Sequence, residues 1–151
     1  MAGSDHPIVQ HDTKPELERR CNAIEECYEF MLAYAAQGLP SDHGSQAGGQ
    51  LRTFLELCDE ALRGLAKLFT QIVEQEGLQP ADRYQAFIAV LDRDARSAGA
   101  AVQLVLAQPV ISSQLIDNLN ASIHLRALLT DLFLIDEIVK VQNPMKPATS
   151  G

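Results

Sequence analysis

The sequence predicts an all-α protein, an up-down-up-down antiparallel four-helix bundle over residues 15–143 between disordered tails at 1–14 and 144–151. Apolar residues recur in alternating steps of four and three through four segments, the period of a helix with one buried stripe. Proline and glycine gather at the joints between those segments. No strand or hairpin signal competes.

The first helix has Asp12 or Thr13 as its cap and Pro15 in its first turn, where a missing N–H costs nothing. Its stripe is Leu17, Cys21, Ile24, Tyr28, Met31 and Ala35, and Gly38 and Pro40 stop it. Residues 41–49 form a Ser- and Gly-rich loop carrying His43. The second helix repeats through Leu51, Leu55, Cys58, Leu62, Leu65, Phe69 and Ile72 and ends at Gly77. The third starts near Pro80, runs through Tyr84, Ile88, Leu91, Ala95, Ala98, Val102 and Val105, and cannot pass Pro109. Ser112 or Ser113 caps the fourth, which extends to Asn143-Pro144. At 1.5 Å per residue each helix is roughly 40 Å long, and short connections make neighbours antiparallel. Pairs of opposite charge at i, i+4 fit the same phases: Glu16 with Arg20, Arg52 with Glu56, Asp59 with Arg63, Asp92 with Arg96, Asp136 with Lys140.

Composition excludes several functions. The 12 basic and 20 acidic residues leave a net charge of −8, which a phosphate backbone repels, and tryptophan, the strongest stacking platform, is absent, so no nucleic-acid partner is expected. The longest apolar run is far short of the roughly 18 residues a bilayer span needs, and the opening residues carry no export signal, so the expected location is cytoplasmic and away from membranes. Three cysteines, an odd count without Cys-x-x-Cys spacing, suit a reducing compartment.

Catalytic and metal chemistry find few candidates. A di-iron bundle needs Glu-x-x-His on two helices, and none of the four histidines has a glutamate three residues before it. Neither cofactor nor metal is therefore expected. Cys21 and Cys58 fall on core stripes, where a thiol behaves as a small hydrophobe. Cys27 falls away from the stripe, between Glu26 and Glu29, whose charge opposes thiolate formation. Glu25, Glu26 and Glu29 read as a solvated face. The small residues Ala95, Ser97, Ala98, Gly99, Ala100 and Ala101 read as a place of tight helix packing, with a ligand pocket as the alternative.

The fourth segment carries most of the functional reading. Leu115, Leu119, Ser122, Leu129 and Phe133 share the expected core face, and Asp117, Asn120, His124 and Asp131 form a polar stripe opposite. Between Leu128 and Val139 the helix is apolar almost all round, more than a peripheral bundle helix can bury by itself. Leu128, Leu132, Ile135, Ile138 and Val139 are therefore the expected contact surface, with Asp117, Asn120, His124 and Asp131 setting polar specificity. The run His124-Leu125-Arg126-Ala127-Leu128-Leu129-Thr130 resembles the histidine box of sensor kinases, without its glutamate and proline. That resemblance implies phosphotransfer through His124. The leading expectation is a non-catalytic adaptor or chaperone-like protein that binds a protein partner or itself, as a homodimer through the last helix. Histidine phosphotransfer and a core-bound small ligand or metal are the alternatives.

Overall fold

A computed structural model describes residues 13–142, which form six α-helices and, among the described residues, no strand. They are α1 (Thr13–Ala36), α2 (Gln46–Leu62), α3 (Leu65–Glu76), α4 (Ala81–Leu106), α5 (Ser113–Ala121) and α6 (His124–Gln142). The expected tails fall outside the described residues, apart from Thr13 and Lys14. Those two belong to α1, and Thr13 is buried, its hydroxyl donating to Gln75 Oε1 at 2.9 Å.

Two expected helices are each interrupted. The stripe from Leu51 to Ile72 crosses a break at Gly64, whose φ of +71° favours a residue without Cβ. Its spacing continues unbroken through the turn, so periodicity alone gives no sign of the interruption. The fourth segment breaks at Ile123, a β-branched residue at φ +61°. Such a conformation costs of order 1–3 kcal/mol and persists only where surrounding packing enforces it. Leu119 and Leu125, both buried, flank that turn.

One continuous core joins the helices. α1 packs on α2, α3, α5 and α6, while α4 packs on α2, α3, α5 and α6. Ile24, Met31, Leu51, Leu55, Phe69, Ile72, Leu91, Ile116 and Leu128 are almost wholly buried within it. Cys27 corrects the expectation of an outward face: it is fully buried beside Cys58. A hydrogen bond with Cys58 and burial both push its thiol far above the usual range. The inert-packing reading of Cys58 fits that environment.

A polar clasp closes the end where α1, α2 and α5 meet. Tyr34, fully buried, donates its hydroxyl to the Ile111 carbonyl at 2.8 Å, and Ser113 Oγ donates to the Tyr34 carbonyl at 2.6 Å. Asp42 accepts from Arg52 Nε at 2.6 Å and from the Ile111 amide at 2.7 Å. Burial works to raise the Asp42 carboxyl, but these donors outweigh it and hold the group below the usual range. Arg52 also reaches the Leu106, Gln108 and Pro109 carbonyls, so it does not make its expected pair with Glu56. The other four expected pairs form, from 2.7 Å for Glu16–Arg20 to 3.7 Å for Asp136–Lys140.

The loop of residues 41–49 is shorter than expected, because Ser45 caps α2 by accepting from the Gly48 amide at 3.0 Å. Gly48 is required there, since an added Cβ would lie 1.9 Å from the Asp42 carbonyl oxygen.

Candidate functional site

Helix α6 carries two adjacent stripes, each in steps of three and four. Leu125, Leu128, Leu132, Ile135 and Val139 form one; His124, Ala127, Asp131, Leu134, Ile138 and Val141 form the other. The first faces the core, with Leu128 fully buried and Leu132 and Ile135 nearly so. These three leucine and isoleucine side chains, expected as a contact surface, are therefore enclosed by their own chain. Val139 is half-buried on the same stripe.

The second stripe runs beside α4. There Phe87, Val90, Asp94, Ser97 and Ala101 follow the same spacing and are all half-buried. The two stripes meet in a seam between α4 and α6. Its lower end opens into an apolar cleft of about 300 Å³ bordered by Phe69, Tyr84, Phe87, Leu134 and Ile138, with Arg83 the one charged residue on its wall. Leu134 is 49% exposed beside it.

At mid-seam, Asp131 of α6 meets Asp94 of α4. Burial, then the hydrogen bond with Asp94 and its charge, raise the Asp131 carboxyl to about 7. Asp131 Oδ2 is shielded from solvent. Asp131 belongs to the polar stripe expected from the sequence; its neighbour Asp94, on another helix, has no local signal beyond its place in the α4 stripe.

The other expected site residues scatter. Ile138 and His124 lie on the seam stripe, but His124 opens α6 and is exposed, rather than standing midway along a longer helix. Asp117 is exposed on α5. Asn120, also on α5, has both side-chain amide atoms buried without a partner, and nothing in the structure explains that cost. Of the expected core face, Leu119 and Leu129 are buried, Leu115 and Ser122 half-buried, and Phe133 is 48% exposed.

A larger cleft of about 530 Å³ lies on the opposite flank of α4, against the break between α2 and α3. Ala95, Gly99 and Ala100 border it, and a Cβ on Gly99 would meet nothing within 4 Å. Packing thus accounts for the fully enclosed Ala98 but not for Gly99. The charges of this cleft are largely satisfied within it: Asp59 accepts from Arg63 at 2.8 Å and Gln103 at 3.0 Å, and Asp92 accepts from Arg96 at 2.9 Å. Cys21, half-buried on α1, has its thiol pushed up to about 11 by burial and by Glu25, Asp136 and Glu18.

No protein-family model, curated protein or solved structure matches this chain. Among the described residues, no helix is long and apolar enough to cross a membrane, and no three His, Cys, Asp or Glu side chains gather as a metal-holding group.

Proposed function

We propose that this chain is a non-catalytic binding protein that acts through protein–protein contacts, taking a helix of its partner in the seam between α4 and α6. The scaffold is an up-down-up-down four-helix bundle in which α2–α3 and α5–α6 are interrupted rods. Support comes from the packing of α1 and α4 on both of those rods. The observation that carries the binding reading is the apolar cleft at the seam's lower end, left open beside the half-exposed Leu134. Apolar surface of this kind, rimmed by polar residues, marks interaction sites, and an amphipathic helix is the usual filler of such a groove.

A phage-displayed library of amphipathic 18-residue helices, selected on the whole chain, tests this. The expected result is a set of enriched helices that bind the wild type and not L134E, with the far-UV circular dichroism of L134E unchanged. Failure to enrich any helix, or equal binding to L134E, overturns the reading. Leu132, enclosed in the core, is unsuitable for the same test because L132D would disrupt the fold itself.

Phosphotransfer through His124 ranks second. A phosphotransfer histidine presents its imidazole from the flank of a helix, whereas this residue heads α6 after a strained turn.

A further inference from the structure

We propose that a segment of this same chain, Asp5-His6-Pro7-Ile8-Val9, lies across the apolar cleft between α4 and α6 and competes there with the partner helix. This deepens the docking reading above, and its regulatory consequence rests on that reading.

The path of the chain allows the contact. The first described residues are pinned at the cleft's end of the bundle, where Thr13 bonds Gln75 at 2.9 Å and Lys14 pairs with Glu76 at 3.3 Å. Those two partners close α3, and Pro80, at the start of the next helix, already belongs to the cleft wall. Ile8 stands five residues before Thr13, a stretch that spans up to roughly 17 Å when extended. The crossing from α3 to its neighbour α4 is one helix width, about 9 Å, with about 9 Å of descent along α3 from Gln75 to Phe69. Together these make about 13 Å, within the segment's reach.

Chemistry selects this segment over the other candidates. The cleft is walled by Phe69, Tyr84, Phe87, Leu134 and Ile138, and its one charge is Arg83. That guanidinium is 80% exposed, and the carboxylate paired with it, on the adjacent Asp82, lies 3.8 Å away. The occupant that fits is apolar, with a carboxylate beside it. Pro7-Ile8-Val9 supplies the apolar part and Asp5, three residues before Ile8, the carboxylate. The segment after α6 has Met145 but would bring Lys146 towards Arg83. Isoleucine and valine have few rotamers to lose and proline has a fixed φ, so seating this run costs little order. A tether of a few residues also holds it at a concentration in the millimolar range, an advantage that neither a second copy nor a free helix has.

Methyl-selective NMR on the full chain reads the contact directly. Nuclear Overhauser cross-peaks are expected from the Ile8 and Val9 methyl groups to the rings of Tyr84 and Phe87, and they should vanish in L134E. The doubly substituted I8S/V9S chain removes the apolar run and should keep the far-UV circular dichroism of wild type, since both residues precede α1. Library helices should bind it about tenfold more tightly than wild type, the factor that follows when the segment covers the cleft in about nine molecules of ten. Absent cross-peaks, or helices that bind the two chains equally, overturn this inference and leave the docking reading standing. Cross-peaks that join two differently labelled copies in a mixed sample overturn it in favour of a second copy. Cross-peaks within one chain, with no helix enriched on either protein, uphold the contact and remove the docking reading instead.

Discussion

Replacing Asp131 by asparagine should change how stability depends on pH. The Asp131 carboxyl rises from 3.8 to about 7 on folding, because burial and the neighbouring Asp94 disfavour its charge. The folded chain therefore holds a proton that the unfolded chain gives up between about pH 4 and pH 7. The stabilisation is present in full below the unfolded pKa and is lost as pH rises through the folded one. A tenfold change in proton affinity corresponds to about 1.4 kcal/mol, so a dry site would contribute about 4 kcal/mol. Asp131 is only partly buried, so solvent screening reduces the effect to about 1–2 kcal/mol. D131N cannot ionise, and its amide can donate to the Asp94 carboxylate. Urea unfolding followed by circular dichroism at pH 5, 6, 7 and 8 measures the difference between the two proteins, in which the other titrating groups largely cancel. Wild type should lose about 1 kcal/mol relative to D131N between pH 5 and pH 7, with little further change to pH 8. Parallel profiles would refute the raised Asp131 carboxyl and the burial that raises it.

Three other substitutions or reactions probe the frame that holds the seam. G48A should lose about 2 kcal/mol or more in the same unfolding assay, because backbone at Asp42 must move to admit the methyl group; an unchanged midpoint would show that the loop gives way freely. Y34F removes the donor to the buried Ile111 carbonyl at 2.8 Å and should cost about 1–2 kcal/mol. No loss of stability would mean that the carbonyl finds another donor. In thiol titration with a disulfide reagent at pH 8, Cys21 should react slowly and Cys27 and Cys58 only after unfolding, since both are fully enclosed. Fast reaction of all three would contradict the core assignment.

Helical character, the joints near Gly38, Gly77 and Pro109, and the stripes of α1, α2 and α4 are all legible in the amino-acid order. Those properties are local. A 3.6-residue period, a proline and a cap act within a turn or two, so spacing exposes them. Most of the charge pairs on one helix are legible for the same reason.

Tertiary packing settles the outcome wherever two local solutions compete. Helix α6 offers two apolar stripes, and only the neighbouring helices determine that Leu128, Leu132 and Ile135 turn inward while Leu134 and Ile138 are left along the seam. Arg52 has a carboxylate four residues away, but the clasp offers it Asp42 and three carbonyls at once. Cys27 is enclosed although its sequence neighbours are charged, because Cys58 on α2 packs beside it. The breaks at Gly64 and Ile123 leave the apolar spacing intact, so periodicity passes through them unaltered. The Asp94–Asp131 pair joins residues 37 positions apart, and the Asp131 carboxyl is raised only because packing buries it and brings Asp94 beside it.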